Sequence, residues 1–244
     1  MNAPPSPPTE TTGCANCVMR GLGLCNVLIA MGWEQPYSAD KAAIPQIKQT
    51  FAARRTIFGQ NETLAGVPVI CDGWATSILK LSNGRRQILS VLVPGELVTC
   101  RLLFERQMHL SIDAVTRGSY RTFDLAHLRA AMMMSPEIFD RLLSAYSTER
   151  NRADQLIADL GRRTATGRIA RLMLDIWSRL QEAGKVKDGA IEFPLRQTHI
   201  ADATGLTTVY VSKVINLFRN DNLVEYSGRS LKLLDIEKLR QIAA

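Results

Sequence analysis

The chain has 244 residues, of which 46% are hydrophobic and 22% are charged, values typical of a globular protein. This composition excludes a disordered, collagen-like or fibrous coiled-coil chain, and the length allows one large or two modest domains. Thirty Lys and Arg residues against 23 Asp and Glu residues give a formal net charge of +7, which favours a polyanionic partner such as nucleic acid.

The N-terminal segment predicts neither a secretory signal nor a membrane anchor. Residues 1–12 are rich in Pro and Thr and contain no Lys or Arg, whereas a secretory signal begins with basic residues. The apolar run 22–33 has twelve residues, fewer than the roughly 20 that a spanning helix needs. We therefore expect a flexible tail on a cytoplasmic protein that has no membrane partner.

Three of the five cysteines, Cys14, Cys17 and Cys25, fall within twelve residues. This spacing, with an odd total, suits a reduced compartment and a metal or redox cluster better than a disulfide framework. The other two, Cys71 and Cys100, lie far along the chain, where an isolated cysteine is most often a small buried hydrophobe.

The region from about Lys48 to Leu128 consists of short runs of Val, Ile, Leu and Thr separated by turn residues. This pattern predicts an all-β domain. Its clearest hairpin joins strands at 76–81 and 87–93 through Asn83-Gly84, because Asn-Gly supplies the positive φ angles that a tight turn requires.

After Asp124 the pattern becomes helical, and seven residues recur at alternating steps of four and three. They are Phe139, Leu143, Tyr146, Arg150, Ala153, Ile157 and Leu160. This heptad spacing predicts a dimerisation helix, with Ser135 as N-cap and Pro136 at its first position. The alternative is an amphipathic helix packed on its own domain, since ordinary surface helices share this period.

From Thr164 onward the sequence predicts a mostly helical domain with a hairpin over 223–234. Residues 197–216 can be laid out as two short helices joined at Gly205, which is a helix-turn-helix pattern. In this layout Ile200, Val211, Val214 and Ile215 share a core, and Thr207 caps the second helix. An ordinary helical hairpin is the alternative, because small-Gly-apolar spacing also occurs by chance.

The second helix of this pattern would present its N-terminal half to double-stranded DNA. The candidate contacts are Thr208, Val209, Tyr210, Ser212 and Lys213, with Arg229 at the tip of the hairpin. Lys213 can reach guanine or phosphate, the hydroxyls can bond base or phosphate, and Val209 or Tyr210 can contact a thymine methyl group. Arg229 would touch the phosphate backbone as part of a wing.

The order of these features resembles the CRP/FNR superfamily of bacterial transcription regulators. The resemblance covers about residues 40–244 and rests on the runs 83–89 and 93–97 followed by the helix-turn-helix. It implies an α+β fold with an N-terminal, cyclic-nucleotide-binding-like jelly-roll sensor (the β-roll), a long dimerisation helix and a C-terminal winged helix-turn-helix. The corresponding segments are a cysteine-bearing segment 1–30, the β-roll 31–134, the helix 135–163 and the DNA-binding domain 164–244. A twofold dimer reads a palindromic operator, and an activator also contacts RNA polymerase.

The same resemblance implies a [4Fe-4S] cluster, because Cys14, Cys17 and Cys25 resemble the N-terminal cluster motif of the oxygen-sensing members. The family's remaining cysteine would fall near Arg121, so Cys71 or Cys100 must substitute, and we choose Cys100. Members that bind cyclic nucleotides carry a Gly-Glu pair and then an Arg-Ser or Arg-Thr that holds the phosphate. Here Gly95-Glu96 is followed by Met108-His109, with Arg106 displaced, so a cyclic nucleotide is not expected.

The family's common Glu-x-x-Ser-Arg triplet aligns with Val209, Ser212 and Lys213, so we expect an operator different from the common one. The sequence thus predicts a homodimeric transcription regulator controlled by an iron–sulfur cluster that responds to oxygen or nitric oxide. Thiol redox chemistry, zinc or a small molecule in the β-roll are the alternatives for the control. No enzyme is expected, because the chain lacks a G-x-S-x-G or P-loop motif.

Overall fold

The computed structural model describes residues 46–244, so the N-terminal segment with Cys14, Cys17 and Cys25 lies outside the described residues. Seven strands make up the β-roll as two antiparallel sheets, ordered β1-β7-β3 and β2-β6-β4-β5. The strands are β1 Gln46–Phe51, β2 Thr56–Phe58, β3 Gly66–Asp72, β4 Ala75–Lys80, β5 Arg86–Leu92, β6 Ser111–Ala114 and β7 Gly118–Asp124. Residues 95–98 also follow β3, through backbone hydrogen bonds, without forming a regular strand.

The predicted β4–β5 hairpin is present, but its connection is longer than a two-residue turn. Lys80 pairs with Arg86, which leaves five residues between the strands. Only Gly84 has a positive φ angle there, at 79°, while the Asn83 side chain accepts a hydrogen bond from the Arg85 backbone at 3.0 Å. Asn83 therefore supports the turn through its side chain and not through a left-handed backbone.

Two helices follow the β-roll: α1, Leu125–Met134, and α2, Pro136–Arg162. Ser135 is the N-cap of α2 and accepts a hydrogen bond from the Ile138 backbone, and Pro136 occupies the first turn, as predicted. Ile138 and Leu142 are fully buried among apolar residues of both sheets, so the first turns of α2 pack on the β-roll. Further along the helix, Glu149 accepts a hydrogen bond from the Cys100 backbone at 2.7 Å, and Arg152 donates to Glu96 at 2.9 Å.

The C-terminal domain begins with α3, Ala165–Glu182, and ends with α6, Ile236–Ala243. Between them lie β8 Ala190–Glu192, α4 Gln197–Thr204, α5 Thr208–Asn220, β9 Val224–Ser227 and β10 Ser230–Leu233. The sheet order is β8-β10-β9, so β8 adds a third strand to the predicted two-stranded wing. Within residues 46–244 no helix is both long and apolar enough to cross a membrane.

The β4–β5 hairpin touches the first helix of the helix-turn-helix. The Arg86 guanidinium lies 2.6 Å from the Asp202 carboxylate, and the Gln87 amide donates to the Ala203 carbonyl at 3.2 Å. The last turn of α2 is attached to the same region, because Arg168 donates to the carbonyls of Leu160 and Thr204 at 3.0 and 3.2 Å. The β-roll and the long helix therefore both reach the element that positions α5.

Candidate nucleic-acid interface

The turn of the helix-turn-helix forms at the predicted residue. Gly205 ends α4 in the left-handed conformation, with φ at 67°, where a side chain would also lie 3.0 Å from Leu160. Thr207 then caps α5 by accepting a hydrogen bond from the Tyr210 backbone at 3.2 Å. The four residues predicted to share the core, Ile200, Val211, Val214 and Ile215, are all buried. The internal geometry of a helix-turn-helix is thus confirmed.

The N-terminal half of α5 presents its side chains to solvent. Val209 and Tyr210 are 65% and 44% exposed. Thr208 and Lys213 are exposed as well, and Ser212 is half-buried. The fold therefore brings the five predicted residues of α5 together on the accessible end of one helix.

One more polar residue of α5 was missed by the sequence analysis. Asn216 is exposed and lies four residues after Ser212 and three after Lys213, so it continues the same face. An Asn amide can bond adenine in the major groove through both of its polar atoms. The helical spacing from Ser212 alone was enough to identify it.

Arg229 lies in the β9–β10 turn, next to Gly228, which has a φ angle of 57°. Its guanidinium contacts the Glu192 carboxylate of β8 at 2.6 Å, and both side chains are more than half exposed. Such an exposed ion pair is weak, because water and salt screen it. A phosphate can therefore replace Glu192 as the partner of Arg229.

The heptad residues of α2 form a largely exposed stripe, which we call the α2 seam. Phe139, Leu143, Tyr146 and Ile157 are 48%, 54%, 46% and 68% exposed. Arg150 and Ala153 are exposed, whereas Leu160 is half-buried beside the Gly205 turn. The helix covers its own β-roll mainly with Ile138 and Leu142, and of the seam residues Tyr146 makes an edge-to-face ring contact with Phe104 of the β-roll at 6.2 Å.

Cys100 lies in a poor environment for a metal ligand. It begins a short 3₁₀ helix, Cys100–Leu103, and is 2% exposed within the apolar core of the β-roll. Burial, followed by the nearby charge of Glu149, raises the pKa of its thiol well above the ordinary range. Because iron binds the thiolate, these surroundings argue against the choice of Cys100. Cys71, at the end of β3, is half-buried.

No metal centre is formed by the described part of the chain. Within residues 46–244 no group of three or more His, Cys, Asp or Glu side chains could hold an ion. The three predicted ligands Cys14, Cys17 and Cys25 lie outside this range. Of the two β-roll cysteines, Cys71 is the more suitable ligand for a cluster, because it is less buried than Cys100.

A cavity of about 760 Å³ lies between the β-roll and α2, within the size range of small-molecule sites. Glu96 and His109 line it from the β-roll, and Arg141 and Glu149 line it from α2. Arg106, the displaced arginine, is not among its lining residues. Glu96 itself is bonded to Arg152 and Arg179, so its carboxylate is already satisfied by the protein.

His199 has a structural role at the start of α4. Its Nδ1 accepts a hydrogen bond from the Arg196 backbone at 3.1 Å, which requires the imidazole to be unprotonated at that atom. Burial and the nearby guanidinium groups of Arg86 and Arg196 lower the pKa of His199. The neutral ring therefore caps this helix at pH 7.

Both domains of the molecule are similar to domains of known proteins. Residues 48–135 match the family model described as a cyclic nucleotide-binding domain, and residues 167–242 match the Crp-like helix-turn-helix domain. The chain is 25% identical to the transcriptional activator protein FnrL of Cereibacter sphaeroides, over 91% of this chain and 88% of that protein. It is 27% identical to the nitrogen fixation regulation protein FixK of Rhizobium meliloti, over 81% and 88% of the two chains.

Solved structures give the same result for the fold. FixK2 from Bradyrhizobium japonicum superimposes with a TM-score of 0.74 and 25% identity, over 82% of this chain and 98% of that one. A mutant of CooA from Carboxydothermus hydrogenoformans superimposes with a TM-score of 0.69 and 19% identity, over 91% of this chain and 96% of that one, and shows the same fold. FnrL is a transcriptional activator and FixK a nitrogen fixation regulation protein, neither of them an enzyme. Together with the two matched domains, in this order, they place the chain in the CRP/FNR family of DNA-binding transcription regulators.

Proposed function

We propose that the protein acts as a homodimer that binds a palindromic operator through the N-terminal half of α5. The exposed cluster of Thr208, Val209, Tyr210, Ser212 and Lys213 carries this proposal. This cluster combines apolar side chains that can contact a thymine methyl group with polar and cationic ones that can bond bases or phosphates, and the major groove accepts one α-helix. The protein would act in the cytoplasm, where bacterial operators lie.

The proposed dimer forms through the α2 seam. Its exposed apolar side chains repeat at heptad spacing, and a second copy of the same stripe is the complementary partner in a twofold interface. We assign residues 135–163 to this helix, with the β-roll (31–134) before it and the DNA-binding domain (164–244) after it. RNA polymerase becomes a further partner if the protein is an activator.

We propose that the N-terminal cysteines regulate DNA binding by holding an iron–sulfur cluster that is sensitive to oxygen or nitric oxide. The support is the spacing of Cys14, Cys17 and Cys25, and similarity to FnrL and FixK. Cys71 replaces Cys100 as the fourth cysteine in this proposal, because Cys100 is buried beside Glu149. When bound, a cluster supplies redox-sensitive iron, and the cysteine thiolates hold it.

The second candidate is control by a small molecule in the cavity between the β-roll and α2. The cavity has suitable volume and both polar and apolar walls. A cyclic nucleotide is a poor candidate, because Glu96 is occupied by two arginines and Arg106 does not line the cavity. Thiol oxidation or zinc at the cysteines would be the third possibility if iron is absent.

The test of DNA binding is selection from a random duplex pool, followed by affinity measurements with Lys213→Ala and the control Lys238→Ala. Lys238 is also exposed but lies on α6, away from α5. We expect the selection to recover a palindromic sequence. Lys213→Ala should bind that sequence more weakly than the unaltered protein, whereas Lys238→Ala should bind it equally well. A pool without enrichment would contradict the proposal. The proposed regulation by an iron–sulfur cluster is tested separately, by measuring iron and acid-labile sulfide per protomer in protein purified without oxygen.

A further inference from the structure

Strand β5 of the β-roll contacts the DNA-binding domain near both of its ends. At its first residue, Arg86 pairs with Asp202 of α4. Near its last residue, the Val91 carbonyl accepts a hydrogen bond from the Arg179 guanidinium of α3 at 2.8 Å. These two points lie about 16 Å apart along an extended strand. Two separated contacts restrict the rotation of one domain on the other, whereas a single contact would allow a pivot.

The two contacts differ in strength because they differ in burial. The Arg86 side chain is exposed, so water and salt screen its attraction to Asp202. The Arg179 side chain is almost fully buried, and so is most of its partner Glu96. A buried charge is costly unless it keeps its partners, and this cost opposes any separation of α3 from the β-roll. Arg179 therefore holds the two domains together more firmly than Arg86 does.

Arg179 connects three parts of the molecule at one point. Its Nη1 bonds the Val91 carbonyl and the Glu96 carboxylate, both of the β-roll, while its Nη2 lies 2.7 Å from the Asp175 carboxylate of α3 itself. Glu96 in turn accepts a hydrogen bond from Arg152 of α2. The β-roll, the long helix and the DNA-binding domain meet at these five residues, which we call the Arg179 cluster.

The bonds of Arg179 fix a direction as well as a distance. A guanidinium carries its N–H donors in one plane, so several acceptors bonded to it together determine its orientation. Helix α3 shares one apolar core with α5, since Met173 and Ile176 belong to the same buried cluster as Val211 and Phe218. The orientation of α3 on the β-roll is therefore passed on to α5.

We propose that Arg179 fixes the orientation of the DNA-binding domain on the β-roll and thereby makes the dimer strict in the half-site spacing that it accepts. The inference rests on the proposed dimer and on the proposed binding of DNA by α5, and it gives Arg179 a positioning role without contact to DNA. In that dimer the α2 seam joins the two β-rolls, so the two α5 helices keep a constant separation only while each DNA-binding domain keeps its orientation.

The experiment uses the full chain and duplexes in which the two half-sites of the selected palindrome are moved apart or together by one base pair. Each base pair changes their separation by about 3.4 Å and their relative rotation by about 35°. The test protein is Arg179→Met, which keeps an unbranched side chain and removes the guanidinium. One control is Arg240→Met, which removes an exposed guanidinium of α6.

A second control separates orientation from stability. Leu239→Ala removes a fully buried side chain of α6 and lowers the stability of the DNA-binding domain without altering the Arg179 cluster. All affinities are measured below the melting temperature of every variant. If Arg179→Met does not fold, Arg179→Lys takes its place, because an ammonium keeps the charge but cannot reproduce the planar arrangement of donors.

We expect the unaltered protein to bind the selected spacing at least about tenfold more tightly than either changed spacing. For the Arg179 variant this ratio should fall below about threefold, with weaker binding at the selected spacing, because a mobile domain must be ordered on binding. Both controls should keep the ratio of the unaltered protein.

An unchanged ratio in the folded Arg179 variant would overturn the inference. A similar fall in Leu239→Ala would do so too, because loss of stability alone would then explain the effect. If the unaltered protein binds all spacings equally, the inference is wrong while the proposed function stands. Failure of the unaltered protein to bind any of the duplexes would instead overturn the proposed function, and this inference with it.

Discussion

The Arg179 guanidinium of α3 holds both carboxylate oxygens of Glu96, with Nη1 3.1 and 3.0 Å from Oε1 and Oε2. Arg152 of α2 donates to the same carboxylate at 2.9 Å. The Arg179 side chain is only 9% exposed and that of Glu96 is 18% exposed. One acidic group of the β-roll therefore joins the long helix and the DNA-binding domain through buried, charge-assisted hydrogen bonds.

Replacing Glu96 with Gln should destabilise the protein strongly. The change leaves the buried Arg179 with Asp175 as its remaining carboxylate partner, and loss of a charged hydrogen-bond partner costs about 1.5–3 kcal/mol. Urea denaturation at pH 7 measures the loss in free energy of unfolding. Glu105→Gln is the control, because Glu105 pairs with Arg101 at the exposed surface. Similar losses for the two variants would contradict the assigned role of Glu96.

The contribution of Glu96 should also depend on pH in a defined direction. Burial alone would raise the pKa of Glu96, but the charges of Arg179 and Arg152 and the Val93 backbone N–H together lower it below 4.5. A carboxyl with a lowered folded-state pKa stabilises fully above its unfolded pKa, and this stabilisation is lost as the pH falls through the folded value.

The stability difference between the unaltered protein and Glu96→Gln should therefore be constant near neutral pH and shrink below about pH 4.5. Urea denaturation at intervals from pH 7 to pH 3 measures it for both proteins. A difference that persists unchanged at pH 3 would show that Glu96 does not act as a carboxylate in this network.

Replacing Arg150 with Leu should strengthen the dimer. Arg150 is the charged member of the α2 seam, where a twofold axis would bring two like charges together, and its partner Asp154 at 2.9 Å compensates only partly because both are exposed. We expect about tenfold tighter dimerisation by sedimentation equilibrium, equivalent to about 1.4 kcal/mol. Asn151→Leu adds the same apolar side chain outside the seam, and an equal gain there would contradict the proposed interface.

Val209→Glu should change the selected operator at one position of each half-site. Glu accepts a hydrogen bond from cytosine, which Val cannot do, and a good base contact discriminates by about 1–3 kcal/mol. The substitution should fold normally, because Val209 is exposed and an acidic side chain near a helix N-terminus is favourable. Selection from a random pool reads out the change, with Leu217→Glu as control. An unchanged half-site would exclude Val209 from base recognition.

Cys71→Ser should reduce the iron content of protein purified without oxygen, whereas Cys100→Ala should retain it. The reason is the surroundings of Cys100, whose burial beside Glu149 disfavours the thiolate. Iron and sulfide per protomer, together with the melting temperature, separate ligand loss from unfolding. Retention of iron in Cys71→Ser and its loss in a folded Cys100→Ala would restore Cys100 as the ligand.

The features predicted correctly from the sequence are those determined by neighbouring residues. Gly205 and Thr207 define the turn and cap of the helix-turn-helix within three residues, and Ser135-Pro136 defines the start of α2 in the same way. The burial of Val211, Val214 and Ile215 follows from helical spacing. Each of these patterns lies within a few neighbouring residues, so no knowledge of distant contacts was needed.

The features that were missed depend on distant contacts. Strand β8 has only three residues, too few to show an alternating pattern, and it forms because Ile191 pairs with Leu231 of the wing. The pair of Glu96 and Arg179 joins residues 83 positions apart, and no sequence pattern connects them.

Because the Gly205 turn is attached to the end of α2, the length of α2 would determine the half-site spacing of the operator that the proposed dimer binds. Arg168 binds Leu160, the last seam residue, and Thr204, the last residue before the turn. In the proposed dimer, the length of helix between the preceding seam residue, Ile157, and Leu160 would then set the distance between the two α5 helices, and with it the half-site spacing. One residue inserted there would rotate the attached domain by about 100°, so the two α5 helices could no longer reach successive major grooves together.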